Sequence, residues 1–288
     1  MTLMDWRRLL KENLTKAGFD RADQEAKWLL AGALERDNSF VILNPSYAPT
    51  STEEIKIQEW LNRRLKGEPL SRLKGIREFW SLPFHINEHT LDPRPETEGV
   101  VESVLKWVGK RISDPWRILD LGTGSGCLLI ALLHEFKQAR GIGVDINEHA
   151  LAIAHANAAL NGVESRTTFL QGNWGENLKG SYDIIVSNPP YIPLIEKDTL
   201  EKSVRNYDPP QALFGGEDGL ECYRILSSQI KPLLAPNGLA VFEIGVSQRK
   251  DFEMLFNNAG FKTLFILKDL AGIERVLGVA EGQVAVEQ

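Results

Sequence analysis

The chain has 288 residues, of which 43% are hydrophobic and 25% charged, the mixture of an ordinary globular protein with about two domains. This composition excludes an intrinsically disordered chain, and the net charge of −6 argues against a polycation that coats nucleic acid. The charge is uneven, because residues 1–85 carry 14 Lys and Arg against 12 Asp and Glu, whereas residues 86–288 carry 19 against 27.

The first 75 residues have the pattern of a small helical bundle. Apolar residues recur at helical spacing between Trp6 and Leu14. Asp20 is the candidate N-cap of a second helix, and Thr52 opens a third helix that ends before Pro69. We therefore expect residues 1–75 to form a separate N-terminal helical domain.

Residues 76–92 predict a β-hairpin linker. Short aromatic segments that favour strands lie on both sides of Pro83. Pro93 and Pro95 then hold the backbone extended until a helix over residues 100–110 begins. The remaining residues, 93–288, are assigned to a second and larger domain.

Strands and helices alternate after Pro115. Candidate strands cover residues 117–120, 141–145, 167–170, 183–187, 239–244, 261–267 and 275–280. Candidate helices cover residues 126–136, 148–160, 220–234 and 248–259. Strands that alternate with helices of this length indicate an α/β domain, with a mostly parallel sheet covered by helices on both faces.

A glycine-rich loop, residues 120–126, joins the first of these strands to the helix that follows. A dinucleotide fingerprint requires G-x-G-x-x-G, but Cys127 stands at the position of its third glycine. The spacing here is G-x-G-x-G, with Asp120 two residues before the first glycine. That pattern is typical of S-adenosyl-L-methionine (SAM) binding in Rossmann-like methyltransferases. The residues of this loop that we assign to the cofactor are Gly122, Thr123, Gly124, Ser125 and Gly126.

Two later positions complete the predicted cofactor site. Asp145 ends the second strand, and its two carboxylate oxygens can accept hydrogen bonds from both ribose hydroxyls. Trp174 follows the third strand and can pack on an adenine ring, while the preceding Asn173 can hydrogen-bond its edge. The sequence therefore predicts a site for a nucleoside that carries an amino-acid tail.

The segment Asn188-Pro189-Pro190-Tyr191 directly follows a strand that looks buried. Prolines remove backbone donors and fix the backbone, so carbonyl groups of this turn can face a substrate. The Asn188 side-chain oxygen is a further acceptor, and Tyr191 offers a flat aromatic face. Two acceptors can hold a planar NH2 group and direct the nitrogen lone pair at a methyl donor, with positioning in place of a strong base. We assign Asn188, Pro189, Pro190 and Tyr191 to catalysis and to substrate binding, and Asn188 also to the cofactor.

This segment indicates an amino-methyltransferase but leaves its substrate open. Adenine N6, cytosine N4, guanine N2 and the glutamine side-chain nitrogen all present a planar NH2 group. A nucleic-acid enzyme is expected to carry a basic face or a recognition domain. A binding protein without catalysis would have no use for an amine clamp.

Taken together, these motifs resemble the protein-(glutamine-N5) methyltransferases that act on peptide chain release factors. The similarity covers nearly the whole chain, and its most discriminating part is Pro93-Arg94-Pro95-Glu96-Thr97-Glu98. Other matching segments are Gly67-Glu68-Pro69-Leu70, Glu78-Phe79, Asp208-Pro209, Gly215-Gly216, Glu243-Ile244-Gly245 and Asp269-Leu270-Ala271-Gly272.

The resemblance implies a Rossmann-like SAM-dependent methyltransferase fold with a seven-stranded, mostly parallel sheet. It also implies that the substrate is the glutamine of the Gly-Gly-Gln loop of class 1 release factors. Gly122, Thr123, Gly124, Asp145, Trp174 and Asn188 would touch SAM, and Asn188 to Tyr191 would hold the glutamine amide. Another protein glutamine, or an exocyclic amine of a DNA or RNA base, is the alternative substrate.

Some positions depart from the family pattern or are open in their role. Asp92 stands where the family usually has an aliphatic residue, and Asn173 where it often has aspartate. Arg94, Glu96 and Thr97 could be either an active-site wall or a structural brace. Glu243 and Asp269 are expected to be structural.

Basic residues cluster where the two predicted domains join. They are Arg63, Arg64, Lys66, Arg72, Lys74 and Arg77. They form either a solvated surface or a surface that docks the body of a release factor. On the second interpretation the helical domain is a substrate-docking domain.

Several other classes are excluded by simple counts. The stretch from Leu121 to His134 has no Asp, Glu, Lys or Arg but is only 14 residues long, too short to cross a bilayer. The first 14 residues mix acids and bases, so we expect no signal peptide. Two cysteines and five scattered histidines predict neither a disulfide framework nor a metal site. We therefore expect a cytoplasmic protein with no membrane partner and no direct nucleic-acid partner.

Overall fold

The computed structural model describes residues 1–282, which form two compact units. The smaller unit consists of Met1–Ile76 together with Glu201–Tyr207. The larger unit contains Arg77–Leu200 and the described residues from Asp208 onward. The smaller unit thus includes a segment from within the predicted 93–288 domain, and nearly all of the 76–92 hairpin region belongs to the larger unit.

The smaller unit is a helical bundle with its own core. Its helices are α1 (Leu3–Lys16), α2 (Ala22–Ala33), α3 (Asn38–Leu43), α4 (Ser51–Leu65), α5 (Leu70–Lys74) and a short helix at Lys202–Tyr207. Leu10 and Leu14 of α1 lie on one helical face and are fully buried, as are Leu29 of α2 and Ile57 of α4. The helical spacing read from the sequence therefore reflects burial of one face of each helix.

Two predicted helix starts are wrong by one or two residues. Asp20 was expected to cap α2, but Arg21 is the N-cap and makes no side-chain capping bond. Thr52 was expected to open α4, but Thr50 is its N-cap. The Thr50 hydroxyl accepts from the Glu53 amide at 3.3 Å, and the Glu53 carboxylate accepts from the Thr50 amide at 2.7 Å. This reciprocal capping box fixes the start of α4.

A hairpin begins the larger unit. Its strands are β1 (Ile76–Phe79) and β2 (Leu82–His85). Trp80 and Ser81 form a two-residue turn with φ of +53° and +57°, the conformation that suits the twist of a tight hairpin. The His85 backbone exchanges two hydrogen bonds with the Asn157 side chain, at 2.7 and 3.0 Å. The hairpin is therefore fastened to the larger unit.

The larger unit is built on a seven-stranded sheet, which confirms the predicted Rossmann-like methyltransferase fold. The strands are β3 (Arg117–Leu121), β4 (Arg140–Asp145), β5 (Thr167–Gln171), β6 (Tyr182–Ser187), β7 (Leu234–Glu243), β8 (Phe261–Lys268) and β9 (Glu274–Glu281). Its helices are α6 (Glu98–Val108), α7 (Cys127–Glu135), α8 (Glu148–Leu160), α10 (Glu221–Gln229) and α11 (Arg249–Asn258). The helix at Lys202–Tyr207, which belongs to the smaller unit, is α9. None of the helices within residues 1–282 is long and apolar enough to span a bilayer.

The strand order is β5-β4-β3-β6-β7-β9-β8. Neighbours from β5 to β7 pair in parallel, and β9 is antiparallel to both β7 and β8. The chain runs from β3 outward to β5 and then returns to the other side of β3 with β6. This reversal of strand order places a ligand crevice at the carboxyl ends of the central strands.

The boundaries of α10 and β7 differ most from the prediction. A helix was expected over residues 220–234, but α10 ends at Gln229, and β7 begins at Leu234 rather than at 239. Pro232 explains the early end, because its ring would clash with a helical carbonyl one turn earlier. The helix expected over residues 100–110 begins two residues earlier, at Glu98.

Candidate active site

A cavity of about 710 Å³ lies at the carboxyl ends of β3, β4, β5 and β6. All of its lining residues belong to the larger unit. The predicted site residues that line it are Gly122, Thr123, Gly124, Ser125, Asp145, Trp174, Asn188 and Pro190. Gly126, Pro189 and Tyr191 are not among the lining residues. The glycine loop and the Asn188 segment therefore line the same cavity.

The glycine loop turns tightly at the end of β3. Gly122 has φ of +75°, a conformation that strains any residue with a Cβ atom. A Cβ on Gly122 would also lie 2.9 Å from Cζ3 of Trp174. Gly126 is buried at the start of α7, where a Cβ would meet Ile130 at 2.9 Å and Ala154 at 3.3 Å. Gly122 thus permits close approach in the cavity, whereas Gly126 permits close packing behind it.

Asp145 is held at the end of β4 with its carboxylate toward the cavity. One oxygen accepts from the Gly124 amide at 2.8 Å, and the other from the Asn147 amide at 2.9 Å. Each oxygen keeps a lone pair, so the group can still accept two hydroxyl hydrogens. Burial raises the pKa of Asp145, and its backbone hydrogen bonds oppose that rise.

Trp174 lies opposite the glycine loop. It is half-buried and has φ of +55°, which is unusual for a residue other than glycine. A strained residue that lines a cavity is often held there for a function. Asn173 is exposed and also lines the cavity.

Asp120 is a lining residue that the sequence prediction did not assign to the site. It is almost fully buried, and the Thr123 hydroxyl donates to its Oδ2 at 2.7 Å. Its Oδ1 is buried and has no hydrogen-bond partner among the described residues. Burial raises the pKa of Asp120 to about 7. Its place two residues before Gly122 was the available sequence signal.

The cavity is acidic. Asp120, Asp145 and Glu148 line it, and no lining residue in the described chain is Lys or Arg. A cavity lined by acids and without Lys or Arg favours a cationic ligand and disfavours a phosphate. Cys127 also lines the cavity, but burial raises the pKa of its thiol to about 12, so it stays protonated and unreactive.

Asn188 directly follows β6 and lines the cavity. Its side-chain Nδ2 donates to the Thr97 hydroxyl oxygen at 3.0 Å. Tyr191 turns away from the cavity, where its hydroxyl donates to Glu243 Oε1 at 3.1 Å. The Tyr191 carbonyl accepts from Gln248 at 2.8 Å and is thereby occupied within the protein.

Residues 92–97 have two kinds of role: some line the cavity, and others make structural contacts. Thr97 is a wall residue that lines the cavity. Arg94 is a brace, because its guanidinium binds the buried Asp208 carboxylate. The buried Asp92 lies 3.5 Å from the Arg77 guanidinium, which accounts for an acid at this position. Glu96 is exposed and does not line the cavity.

Further lining residues were not assigned to the site from the sequence, although Pro93 and Pro209 among them lie in segments that match the family pattern. They are His89, Leu91, Pro93, Leu128, Val144, Ile146, Asn147, His149, Gln171, Gly172, Pro209, Gln211, Ala212 and Phe214. The rings of His89 and His149 pack against each other, 4.6 Å between centroids. Within residues 1–282, no group of three or more His, Cys, Asp and Glu is arranged to hold a metal ion.

Arg63, Arg64 and Arg77 of the basic stretch are paired with acids of the same chain. Arg63 binds Glu68 at 2.6 Å. Arg64 binds Glu25 at 2.7 Å and lies over the Phe19 ring, 4.2 Å from its centroid. Arg77 is held by Asp92, as described above, and burial lowers the pKa of Lys74. Lys66 is exposed and makes no ion pair with any residue from 1 to 282.

Comparison with known proteins agrees with this architecture. A methyltransferase domain model matches residues 112–260, and a PrmC N-terminal domain model matches residues 5–75. A methyltransferase structure from Pyrococcus furiosus aligns with a TM-score of 0.52 at 16% identity, covering 70% of this chain and 90% of that one. At that identity the likeness supports the fold alone.

Two curated relatives cover almost the whole chain. A release factor glutamine methyltransferase from Agrobacterium fabrum is 41% identical over 269 residues, 93% of each chain. One from Caulobacter vibrioides is 40% identical over 272 residues, again 93% of each. Identity at this level across both units means that the chain belongs to the release factor glutamine methyltransferase family.

Proposed function

We propose that this protein transfers a methyl group from SAM to the side-chain amide nitrogen (N5) of the glutamine in the Gly-Gly-Gln loop of class 1 release factors. The observation that carries the proposal is the shared cavity. It joins acidic residues, with no Lys or Arg in the described lining, to the Asn188 segment, whose amide donates to Thr97. The names of the relatives support the choice of substrate.

The acidic end fits SAM by its chemistry. The unpartnered Oδ1 of Asp120 is a buried acceptor suited to the positive charge of the ligand. Asp145 has acceptor capacity for ribose hydroxyls, and Trp174 offers a flat surface beside Gly122. When bound, SAM supplies a methyl group on a sulfonium sulfur, which is a good leaving group.

The other end suits a planar amide. An amide nitrogen is a poor nucleophile because its lone pair is delocalised. Asn188 Nδ2 is directed at Thr97, so its Oδ1 is the end of the amide left to accept from a substrate NH2 group. Pro189 and Pro190 fix the turn that carries Asn188. Orientation of this kind can supply roughly 7–11 kcal/mol of the activation barrier.

A nucleic-acid base is the less favoured substrate. Phosphate contacts by Lys and Arg dominate the affinity of nucleic-acid enzymes, and the described lining of this cavity contains neither. A glutamine in a protein other than a release factor presents the same chemistry to Asn188. That alternative is decided by experiment.

The helical unit is the proposed docking domain for the body of the release factor. It has its own core and contributes no lining residue to the cavity, so its role lies outside the binding of SAM. Within the basic stretch, Arg63 and Arg64 are ion-paired, whereas Lys66 is exposed and is the charge that we assign to contact with a partner. A cytoplasmic location remains a prediction from the sequence.

The proposal is tested by offering three acceptors with methyl-labelled SAM. They are a class 1 release factor, its variant with the loop glutamine replaced by alanine, and duplex DNA. We expect label on the wild-type release factor alone. Label on DNA, or equal label on both release factors, would overturn the proposed substrate.

A further inference from the structure

The turn that carries Asn188, residues 188–191, cannot hold itself in place. Pro189 and Pro190 have no backbone N–H group, so the turn has no donors of its own at these two positions. Its start is anchored on β3, because the hydroxyl group of Ser187 donates to the Leu121 carbonyl at 2.6 Å. Its end must be held by groups from elsewhere in the chain.

Gln248 holds the end of the turn. This residue lies directly before α11 and is only 8% exposed. Its Nε2 donates to the Tyr191 carbonyl at 2.8 Å and to the Gly219 carbonyl at 3.3 Å, while its Oε1 accepts from the Gly245 amide at 3.0 Å. Both ends of one side-chain amide are therefore used, and they join the Asn188 turn to the segment before α10 and to the turn after β7.

Two glycines let the backbone close around the Gln248 side chain. A Cβ on Gly219 would lie 2.3 Å from the Tyr191 carbonyl oxygen and 2.7 Å from Gln248 Nε2. A Cβ on Gly245 would lie 2.5 Å from Gln248 Oε1 and 3.0 Å from Cδ2 of Tyr191. The absence of a side chain at both positions thus permits the close approach that these hydrogen bonds require.

The same contacts reach the wall of the cavity. We call residues 213–219 the wall segment, because Phe214 lines the cavity within it. The Ile192 amide donates to the Leu213 carbonyl at 3.0 Å, and the Ile192 carbonyl accepts from the Gly215 amide at 3.0 Å. The Asn188 turn therefore continues into a backbone pairing with the wall segment, and the glutamine side chain described above binds both.

We propose that Gln248 is a positioning residue that holds the Asn188 turn against the wall segment and thereby supports the rate of methyl transfer. Asn188 and Pro190 line the cavity, so a shift of the turn would displace the groups that hold the substrate amide. A displacement of about 1 Å can cost about 100-fold in rate. The inference rests on the proposed function, since the turn is the proposed clamp for the glutamine amide. Gln248 is not among the lining residues and acts through the turn.

Gln248→Met tests this role, because methionine has a similar length but lacks the amide donors and acceptor. We expect kcat for the release factor at saturating SAM to fall by about tenfold to 100-fold. The affinity for SAM, measured by calorimetry, should stay near that of the wild type, since Asp145 and Trp174 are untouched. Gln248→Asn keeps an amide that is one CH2 group shorter, so its kcat should lie between those of Gln248→Met and the wild type.

Arg166→Met is the matched control, because Arg166 also donates to three backbone carbonyls. Its guanidinium binds the carbonyls of Leu133 at 2.7 Å, Phe136 at 2.9 Å and Ala139 at 3.0 Å. Arg166 and Ala139 directly precede β5 and β4, at the opposite edge of the sheet from the cavity. Arg166→Met should lower the melting temperature and leave kcat at the wild-type value.

The split between these effects decides the outcome. Unchanged kcat in the folded Gln248 variants would overturn the inference. An equal loss of kcat in Arg166→Met would also overturn it, because the loss would then follow stability rather than the position of the turn. A loss of SAM affinity in Gln248→Met as large as its loss of kcat would likewise contradict a role confined to the amine end.

Hydrogen exchange tests the same contacts without any acceptor substrate. The amides of Ile192 and Gly215, which join the turn to the wall segment, should exchange about threefold to tenfold faster in Gln248→Met, the effect of about one lost hydrogen bond. Their exchange in Arg166→Met should match that of the wild type. Unchanged exchange in Gln248→Met would overturn the inference. If the wild type leaves the release factor unmethylated, the proposed function fails, while the exchange rates still decide whether Gln248 holds the turn.

Discussion

The two ends of the cavity are built in different ways. At the donor end, the groups that define the site are close in sequence, such as Asp120, Gly122 and Gly124, or lie at the end of the adjacent strand, as Asp145 does. At the amine end, Asn188 depends on Thr97, 91 residues away, and Tyr191 depends on Glu243, 52 residues away. The donor end is therefore a local motif, whereas the amine end is an assembly of distant elements.

This difference separates binding from orientation. Changes at the donor end should act mainly on the affinity for SAM. Changes at the amine end should act mainly on turnover, because they disturb how a bound amide is presented. Substitutions at each end therefore test whether SAM affinity and turnover can be changed separately.

Replacing Asn188 should have the largest effect on turnover. Asn188→Ala removes the acceptor that holds the substrate amide, so we expect kcat to fall by about 100-fold or more, while SAM still binds measurably. Asn257→Ala, an exposed change on α11, is the matched control and should behave as wild type. Unchanged turnover in Asn188→Ala would refute the amide clamp.

The donor end is tested by a pair of glycines. Gly122→Ala should weaken SAM binding, because it adds both backbone strain at φ +75° and a clash with Trp174. Gly162→Ala carries the strain alone, since φ there is +67° and nothing lies within 4 Å of the added Cβ. Both should lose about 1–2 kcal/mol of stability from the strained backbone. Calorimetry should find reduced SAM affinity only for Gly122→Ala, and equal affinities would contradict a role for the loop in SAM binding.

Asp120 makes the donor end sensitive to pH. Its pKa of about 7 in the folded protein is above its usual value, so the folded state holds a proton that the unfolded state has lost between about pH 4 and pH 7. Stability should therefore decrease as pH rises through that window. A cationic ligand favours the ionised form, so SAM affinity should increase from about pH 6 to pH 7.5 with release of a proton.

Asp120→Asn is the variant that isolates this effect. It should abolish the pH dependence that comes from the raised pKa of Asp120. Calorimetry in buffers of different ionisation enthalpy measures the proton release directly. An identical proton count in the variant and the wild type would show that Asp120 does not sense the ligand.

Substitutions in the helical unit should have the smallest effects, because this unit contributes no residue to the lining of the cavity. Lys66→Glu should raise KM for the whole release factor by about twofold to fivefold, since an exposed ion pair contributes about 0.2–1 kcal/mol. Its KM for a short loop peptide should be unchanged. Arg64→Ala is the contrasting variant, because Arg64 pairs with Glu25 inside the unit, and it should lower the melting temperature. Equal effects of Lys66→Glu on protein and peptide would contradict docking by this unit.

Features that are local in sequence could be predicted, whereas contacts between distant segments could not. The glycine loop, Asp145 and the alternation of strands and helices are local signals, and the fold and the cavity agree with them. The capping box at Thr50 and the end of α10 before Pro232 are local signals too, because the capping pair and the proline are both visible in the sequence.

Glu243 could not be interpreted from the sequence in this way. It was expected to be structural, because nothing in the order of residues indicates that the end of β7 bonds Tyr191, in the turn after β6. That contact exists only because β6 and β7 are neighbours in the sheet. The roles of Arg94 and Asp92 depended likewise on the partners Asp208 and Arg77.

The central claim, methyl transfer to a glutamine side-chain amide, is tested most directly by locating the methyl group on an intact release factor. After reaction with SAM, tandem mass spectrometry should place one added methyl group on the glutamine of the Gly-Gly-Gln loop. Acid hydrolysis should then release methylamine, as expected for a methyl group on the amide nitrogen. A methyl group on any other residue, or a modified loop that yields no methylamine, would contradict the account.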